Sequence, residues 1–338
     1  MINFQYARAN DVADAVRMIA AEPGAKFIAG GTNLVDLMKE DVERPSRLID
    51  ISRLPLKTVE ETAAGALRIG ALVPNSDLAY HPLIEQRYPL LASAILAGAS
   101  QQLRNMASTG GNLLQRTRCA YFYDTATPCN KREPGSGCSA IGGVNRGHAI
   151  LGTSEHCIAT HPSDMCVALA ALDARVHVTG AKGERVIAFS DFHRLPGTTP
   201  QIDTNLQPDE IVTAVELPAK GFAENYSYLK IRDRLSYAFA LVSIAAALEL
   251  DGDTIKEARL ALGGVAHKPW RDPAAESALR GQPADRASFA RAADLLLRDA
   301  KGQGHNDFKI ELARRGIVRT LTQAARATPQ SQSDKKIR

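Results

Sequence analysis

The most informative segment of the sequence reads Lys26-Phe27-Ile28-Ala29-Gly30-Gly31-Thr32-Asn33-Leu34. Its apolar first half predicts a short buried strand over residues 25–29, and the pattern from residue 34 to residue 39 predicts a helix directly after the two glycines. Glycine lets a backbone approach a phosphate closely, and the free N–H groups at a helix start bind its oxygens. The segment lacks the G-x-G-x-x-G spacing of a Rossmann fold, and a Gly-Gly turn capped by Asn33 explains it equally well.

A second segment of the same kind reads Ser108-Thr109-Gly110-Gly111-Asn112-Leu113. One small, donor-rich loop carries little information by itself. Two of them in one chain suit the two phosphates and the ring system of a large cofactor. Together they favour a dinucleotide ligand.

The chain around these two loops divides into three predicted units and a tail. The first 57 residues predict a small α/β unit with a helix over 11–21 and a second strand over 47–51. Residues 58–220 predict a second unit, with strands at 67–71 and 174–178 and helices from 76, at 89–97 and at 163–172. Residues 218–221 look like a linker. Over residues 221–327, strands at 227–231, 240–250 and 258–263 precede helices at 287–297 and 308–327, which predicts an α+β domain. The polar residues 328–338 are predicted to be a disordered tail.

The composition is that of an ordinary globular protein. The chain has 338 residues, 45% of them hydrophobic and 23% charged, and a net charge of +4. A charge this small and this evenly spread predicts no nucleic-acid partner. The longest apolar stretch, residues 238–248, is far shorter than the ~20 residues that span a bilayer, so no membrane insertion is predicted. Arg8, Asp11 and Asp14 stand where an export signal needs an apolar run, so no signal peptide is predicted.

The cysteines depart from this ordinary pattern. All five lie between residues 119 and 166, at Cys119, Cys129, Cys138, Cys157 and Cys166. The odd number and the clustering favour a metal or cluster site over disulfides. The first four lie in or at the end of an irregular, turn-rich insertion over residues 115–157, whereas Cys166 falls in a helical run and is interpreted as a core thiol.

The cysteine spacing does not identify the metal. Four thiolates suit either a 4Fe–4S cluster or a structural zinc ion, and the intervals match neither the C-x2-C pairs of zinc sites nor the compact ferredoxin run. His148, His156 and His161 keep a mixed Cys/His zinc site open. Motifs of hydrolases and ATPases are absent from the sequence.

The ordered set of segments resembles one family. The two glycine-rich segments are followed by His161-Pro-Ser-Asp164, Pro208-Asp-Glu-Ile211 and Leu229-Lys-Ile-Arg232. This order is similar to that of the FAD-binding subunits of molybdenum hydroxylases, the xanthine dehydrogenase and carbon monoxide dehydrogenase group. The cysteine insertion and Gly263-Gly-Val-Ala-His-Lys-Pro-Trp270 resemble, within that family, the flavoprotein subunit of the bacterial periplasmic aldehyde oxidoreductases, which carries a 4Fe–4S cluster as well as FAD.

The resemblance implies a two-lobed FAD-binding core of the vanillyl-alcohol-oxidase type, closed by a C-terminal α+β domain with a three-stranded antiparallel sheet. It implies that residues 26–34 hold the pyrophosphate, with Thr109, Gly111 and Asn112 beside it. Asp164 and Lys230 would lie near the flavin or its chain, and Ile211 would pack nearby. Lys230 would stabilise negative charge on the reduced ring, although a solvated lysine alternating along a strand is the default interpretation of its position. The implied cluster ligands are the four cysteines Cys119, Cys129, Cys138 and Cys157.

The function implied by the resemblance is electron transfer within a heterotrimer. A large partner with a molybdenum cofactor would oxidise an aldehyde, a small partner with two 2Fe–2S clusters would pass single electrons to FAD, and an external acceptor would take them from this chain. Co-export with a signal-bearing partner would place the complex in the periplasm, with the cytoplasm as the alternative. Two other functions stay open from the residues: a zinc-stabilised, non-redox scaffold or binding protein, and a stand-alone flavin oxidase.

Overall fold

The structure, a computed structural model, describes residues 1–332 of the 338-residue chain. Three sheets follow one another along the sequence, and helices accompany each of them. The fold is α+β, as the sequence predicts. In the described part of the chain, no helix has both the length and the apolar character that crossing a membrane requires.

The first lobe is built on a parallel three-stranded sheet in the order β1-β3-β2. Its elements are β1 (Gln5–Arg8), α1 (Val12–Ala21), β2 (Lys26–Ile28), α2 (Leu34–Lys39) and β3 (Arg47–Asp50). Helix α1 begins where the Asp11 carboxylate accepts a hydrogen bond of 2.7 Å from the Asp14 N–H. The apolar face of α1 packs on Ile49 and Ile51. The same cluster includes Phe27 of β2 and, from the second lobe, Leu72 and Ile211, so β2 is held against the second lobe.

The second lobe contains an antiparallel five-stranded sheet in the order β4-β5-β8-β6-β7. Its strands are β4 (Val59–Glu61), β5 (Leu67–Gly70), β6 (Arg175–Gly180), β7 (Gly183–Ala188) and β8 (Ile211–Leu217). Its helices are α3 (Asn75–Ala79), α4 (Pro82–Arg87), α5 (Pro89–Ala97), α6 (Gln101–Met106), α7 (Thr109–Leu113), α8 (Ala120–Tyr123), α9 (Asp164–Ala171) and α10 (Phe189–Phe192). Every residue of α9 is buried, so this helix lies in the core of the lobe.

The C-terminal domain contains the predicted three-stranded antiparallel sheet, in the order β11-β10-β9. Its elements are β9 (Tyr226–Ile231), β10 (Val242–Asp251), β11 (Thr254–Gly263), α11 (Pro273–Ser277), α12 (Arg286–Leu296) and α13 (Phe308–Ala325). Successive side chains of a strand point to opposite faces. Ala245 and Ala247 therefore pack with the core of the second lobe, whereas Ile244, Ala246 and Leu248 pack under α12 and α13.

The connection into this domain is firmly packed. A Cβ atom at Gly221 would lie 1.7 Å from the Arg87 carbonyl oxygen, so only glycine fits there. The Tyr88 hydroxyl donates to the Pro218 carbonyl oxygen over 2.6 Å. Residues 218–221 are thus part of the second lobe's surface, not a free linker.

The predicted disordered tail is partly wrong. The Gln330 N–H donates to Ser227 Oγ over 3.2 Å, and the Gln332 side-chain amide donates to the Tyr228 carbonyl oxygen over 2.9 Å. Gln330 and Gln332 are therefore hydrogen-bonded to β9. Residues 333–338 of the predicted tail lie outside the described part of the chain.

The cysteine-bearing insertion is tied to the C-terminal domain through α13. The Lys309 ammonium, which is fully buried, donates to the carbonyl oxygens of Gly147, His148 and Gly264 over 3.3, 2.7 and 2.6 Å. The Asn306 side chain donates to the carbonyl oxygens of His148 and Ala149, each over 3.1 Å. We call these two side chains, which hold the end of the insertion, the α13 clasp.

Candidate functional site

A groove of about 1110 Å³ runs between the two lobes and under the C-terminal domain. Two loops form its floor, one after strand β2 and one after the short helix α6. We call residues 29–33 the first glycine loop and residues 107–112 the second glycine loop. The groove is lined by every predicted cofactor residue except Thr109: Lys26, Phe27, Ile28, Ala29, Gly30, Gly31, Thr32, Asn33, Leu34, Gly111, Asn112, Asp164, Ile211 and Lys230.

The sequence analysis explains the glycines of the first loop by the close approach of a phosphate, but the structure shows that the protein's own backbone requires them. A Cβ atom at Gly30 would lie 1.7 Å from the Met106 carbonyl oxygen, so Gly30 is required by the protein's own backbone before any ligand is considered. Gly31 has φ +73°, a left-handed conformation that favours glycine. The first glycine loop therefore packs on the end of α6, at the point where the second glycine loop begins.

Asn33 fits a ligand rich in hydrogen-bond acceptors. Its side-chain oxygen accepts from the Arg116 N–H over 3.0 Å, which fixes the orientation of the amide. Its side-chain nitrogen is buried and has no partner among the described residues. A buried donor without an acceptor is costly, and a phosphate oxygen in the groove is the kind of atom that would satisfy it.

The second glycine loop is ordered by its own side chains. Ser108 Oγ accepts from the Gly111 N–H over 3.2 Å at the start of α7. The Asn112 amide donates to Asn75 Oδ1 over 2.7 Å, and its oxygen accepts from the Ser163 hydroxyl. Thr109 is turned away, because its buried hydroxyl donates to the Val73 carbonyl oxygen over 2.9 Å.

Asp164 and Lys230 form a buried ion pair in the groove wall. Lys230 Nζ lies 2.7 Å from Asp164 Oδ2, and the two side chains are 3% and 7% exposed. The other carboxylate oxygen accepts from the Tyr228 hydroxyl over 2.7 Å. Burial, followed by the charge of Asp164, raises the pKa of Tyr228 well above its usual value, so this hydroxyl stays a proton donor. Lys230 is thus a paired, buried cation and not the solvated lysine of the default interpretation.

Several groove residues have no signal in the sequence. They are cationic or aromatic side chains brought together only by the fold: Arg104, Arg116, Arg118, Arg234, Tyr237 and Phe239. The Arg118 guanidinium lies 5.2 Å from the centre of the Phe239 ring, across the mouth of the groove. Burial lowers the pKa of Arg104, whose guanidinium donates to the Gly98 carbonyl oxygen over 2.6 Å. Arg116 and Arg118 are paired with carboxylates that also line the groove. Arg104 has no carboxylate partner among the described residues, so its charge is free to meet an anionic ligand.

The predicted metal ligands lie together in a second place. Cys119, Cys129, Cys138 and Cys157 are free thiols around one small cavity, which we call the cysteine pocket. Cys129 and Cys138 face each other across an isolated antiparallel bridge. His148 Nε2 lies 3.1 Å from Cys119 Sγ, so one of the three predicted alternative histidines reaches the pocket. Cys166 lies elsewhere, fully buried in α9.

The thiols of the pocket differ in acidity. A hydrogen bond from Cys157 lowers the pKa of Cys138 to about 6, while the same contact and burial raise that of Cys157. Burial raises the pKa of Cys119 to about 11. A metal or cluster that binds thiolates would therefore have to displace protons from at least two of these groups.

A chain of charges connects the groove to the cysteine pocket. Arg116 in the groove lies 2.6 Å from Glu43 and 2.9 Å from Asp203. Asp203 also pairs with Lys131, which lines the pocket and is 3% exposed. Burial raises the pKa of Asp203, but the two cations outweigh burial and hold it at about 2. The two sites are thus held in fixed relation by one ionic network.

Known proteins share this arrangement of lobes and groove. Residues 2–220 match the family model described as the FAD binding domain in molybdopterin dehydrogenase, and residues 226–324 match the CO dehydrogenase flavoprotein C-terminal domain. The chain belongs to the FAD-binding subunits of the molybdenum hydroxylases. The family resemblance stated from the sequence motifs is confirmed, and the match to the FAD-binding domain supports FAD as a cofactor of this chain.

Individual relatives cover nearly the whole chain. The chain is 52% identical over 323 residues to the aldehyde oxidoreductase FAD-binding subunit PaoB of Escherichia coli, covering 95% of this chain and 98% of that protein. It is 26% identical to the carbon monoxide dehydrogenase medium chain of Hydrogenophaga pseudoflava, covering 95% and 96% of the two chains. The solved carbon monoxide dehydrogenase of that organism, which lacks the Mo-pyranopterin moiety, superimposes with a TM-score of 0.76 over 97% of this chain and 99% of that chain. As a molybdenum hydroxylase flavoprotein subunit, the chain is a redox protein, and the non-redox scaffold function is wrong.

Proposed function

We propose that this chain is the FAD and 4Fe–4S electron-transfer subunit of a molybdenum-dependent aldehyde oxidoreductase. It would take electrons from the 2Fe–2S clusters of a small partner, in a heterotrimer with a molybdenum-cofactor large subunit, and pass them to an external acceptor. The observation that carries the proposal is the co-occurrence of an FAD groove and a four-thiol pocket in a chain 52% identical to an aldehyde oxidoreductase subunit.

The residues of the groove support the FAD half of the proposal. The unpartnered Asn33 side-chain nitrogen and the first glycine loop would bind the pyrophosphate, and Arg104, which has no carboxylate partner among the described residues, would add positive charge. Lys230 would lie near the ring, held by Asp164, and would stabilise negative charge there. When bound, FAD exchanges electrons singly or in pairs, which is the chemistry that connects one-electron clusters to a two-electron acceptor.

The donor set and the resemblance of the insertion support a cluster. Four free thiols, those of Cys119, Cys129, Cys138 and Cys157, line one cavity, and one thiolate per iron is the ligand set of a 4Fe–4S cluster. Four thiolates also suit a tetrahedral zinc ion, so the metal content of the isolated chain decides between the two. The insertion resembles that of the flavoprotein subunits that carry a 4Fe–4S cluster, and this favours the cluster.

One anaerobic sample tests both halves of the proposal. The absorption spectrum of the isolated chain should show flavin bands with a broad cluster shoulder, and assays should give four irons and four acid-labile sulfides per chain. Flavin with zinc in place of iron would overturn the cluster. A flavin-loaded chain that oxidises aldehydes without partners would overturn the subunit role and favour a stand-alone oxidase.

Two variants test the roles of the residues. Lys230→Ala should slow electron output while leaving aldehyde preference unchanged, because this chain would contain no aldehyde site. A shifted preference with intact electron transfer would contradict the proposal. In the assembled complex, Cys138→Ser with intact assembly and lost turnover would place the cluster on the electron path, whereas lost assembly would make it a structural element.

We also propose a periplasmic location by co-export with a signal-bearing partner, with the cytoplasm as the alternative. The support is the resemblance of the cysteine insertion to the periplasmic aldehyde oxidoreductases. Cell fractionation with and without the large subunit tests it. The chain should reach the periplasm only when that subunit is present, and cytoplasmic complex in both cases would overturn the proposal.

A further inference from the structure

A third cluster of potential ligands lies apart from both the groove and the cysteine pocket. His161, Cys166 and His193 each bring one ligand atom to within 4.8 Å of the other two. Cys166 stands in the first turn of α9, His161 lies just before that helix, and His193 follows α10. The two imidazole rings have their centroids 4.3 Å apart. Cys166 is the fifth thiol, which the FAD and cluster functions leave without a role.

In each histidine of this cluster one ring nitrogen has a partner and the other has none. His161 Nδ1 accepts weakly from the Ser163 N–H over 3.4 Å, which leaves the ring proton on Nε2. His161 Nε2 and His193 Nδ1 are buried without a hydrogen-bond partner in the described chain. The other nitrogen of His193, Nε2, lies 2.8 Å from the Leu113 carbonyl oxygen. If Nε2 carries the proton, Nδ1 is left with a free lone pair. A ligating histidine commonly has this arrangement, with one ring nitrogen donating to a carbonyl and the other bound to metal.

The protonation states also suit a metal ion. Burial lowers the pKa of His193 to about 4 and that of His161 well below its usual value, so both rings are neutral near pH 7. Burial raises the pKa of Cys166 to about 12, so its thiol keeps its proton until a metal replaces it.

We propose that His161, Cys166 and His193 form a buried site for a thiophilic d10 metal ion, Cu⁺ or Zn²⁺. Binding forms two metal–nitrogen bonds and one metal–sulfur bond and breaks the Cys166 S–H bond, whose proton goes to solvent. The His161 ring proton moves from Nε2 to Nδ1, which gives up its weak contact with the Ser163 N–H, and no oxidation state changes. Thiolate and imidazole ligands select these ions. The site has three protein ligands, and one of them, the Cys166 thiolate, neutralises the single charge of Cu⁺, which suits that ion in a buried place. Zn²⁺ would need a fourth ligand.

The position of the site gives it a structural consequence. Ser163, two residues after His161, donates to Asn112 in the second glycine loop and caps α9 through the Cys166 N–H at 3.0 Å. Asp164, which holds Lys230, is the next residue. An ion bound to His161 and Cys166 would therefore brace the helix start that forms one wall of the FAD groove.

The test compares metal binding by four full-length chains with the cysteine pocket intact. Wild type, Cys166→Ala, His193→Gln and the control His177→Gln are titrated anaerobically with Cu⁺ against a competing chelator, and separately with Zn²⁺. His177 is a suitable control because its ring pairs with Arg68 and Glu216 in the second sheet, away from the cluster. Wild type and control should each hold one more equivalent of metal than the two site variants. An extra equivalent of Cu⁺ or of Zn²⁺ supports the site and identifies the ion.

Equal stoichiometry in all four chains overturns the proposal. Metal should also raise the thermal midpoint of wild type and control more than that of the site variants. If the site variants do not fold, X-ray absorption on the fully loaded wild type decides. The cysteine pocket supplies four sulfurs and, through His148, at most one nitrogen. Two nitrogen scatterers beyond that one support the site, and coordination that the pocket alone accounts for overturns it.

Discussion

Replacing Gly30 with alanine should damage FAD binding and stability together. A Cβ atom there would lie 1.7 Å from the Met106 carbonyl oxygen and 2.6 Å from its carbonyl carbon. Real Cβ contacts do not fall below 3.0 Å, and both atoms are backbone, so no rotamer change can make room. The first glycine loop must separate from the end of α6. Such overpacking costs about 1–3 kcal/mol, which lowers the thermal midpoint by about 2–10 °C.

The displaced loop carries Asn33, so FAD affinity should fall at least tenfold, which corresponds to about 1.4 kcal/mol. Thermal melts and flavin fluorescence on equilibrium titration measure the two effects. Gly147→Ala is the matched control, because a Cβ atom at Gly147 meets nothing within 4 Å and its φ is not left-handed. If Gly30→Ala binds FAD and melts like Gly147→Ala, the contact between the first glycine loop and the end of α6 does not shape the site.

Three further predictions test what buried ionisable side chains contribute to stability. Lys230→Met leaves the Asp164 carboxylate with only the Tyr228 hydroxyl, so the free energy of unfolding should fall by about 3–5 kcal/mol, and Lys230→Met/Asp164→Leu should recover most of the loss in chemical denaturation. Arg271→Met leaves the Glu276 side chain, which is 9% exposed, with only the Leu260 N–H as a partner, so the free energy of unfolding should fall by a similar amount. The control Arg314→Met breaks an ion pair whose side chains are 44% and 53% exposed, and it should change the free energy of unfolding by less than about 0.5 kcal/mol. Equal effects of the two substitutions would contradict the reasoning. Burial lowers the pKa of His267 to about 3, so between about pH 3 and 6.5 the unfolded chain binds a proton that the folded chain does not, and stability rises with pH across that window. His267→Gln should remove about 1.4 kcal/mol per pH unit of that slope, and an unchanged slope in denaturation at pH 4–6 would refute the neutral buried ring.

Elements with a strong apolar period were predictable from the sequence. Helix α5 occupies residues 89–97 as predicted, and β10 lies within two residues of the predicted limits, because their apolar faces are buried. Strand β1 was missed, since three of its four residues are exposed and it shows no apolar alternation. Its place is set by pairing with β3, about 42 residues later in sequence, which local patterning does not reveal.

The site was predictable where neighbouring residues act together and not where the fold joins distant ones. The two glycine-rich segments and the four pocket cysteines are recognisable because each is local in sequence. The burial of Lys230 depends on Asp164, 66 residues earlier, so its strand pattern alone favours a solvated lysine. The roles of His193 and of the groove arginines could not be predicted from the sequence either, because the residues around them lie in other elements. The sequence gives no sign that Gly30 is required by a carbonyl oxygen of the chain itself, because Met106 lies 76 residues later.

The α13 clasp has a consequence for the order of events during biosynthesis. Lys309 and Asn306 hold the carbonyl oxygens at the end of the cysteine insertion, yet they are about 160 residues downstream of them. A ribosome delivers the four cysteines well before it delivers the side chains that close their pocket. The thiols would therefore remain uncovered until residues 306 and 309 have been made and have folded onto the insertion, and the cluster proposed as the pocket's cargo would have to enter before α13 docks. Chains truncated before residue 306 should lose retention of that cargo while keeping the residues that contact it.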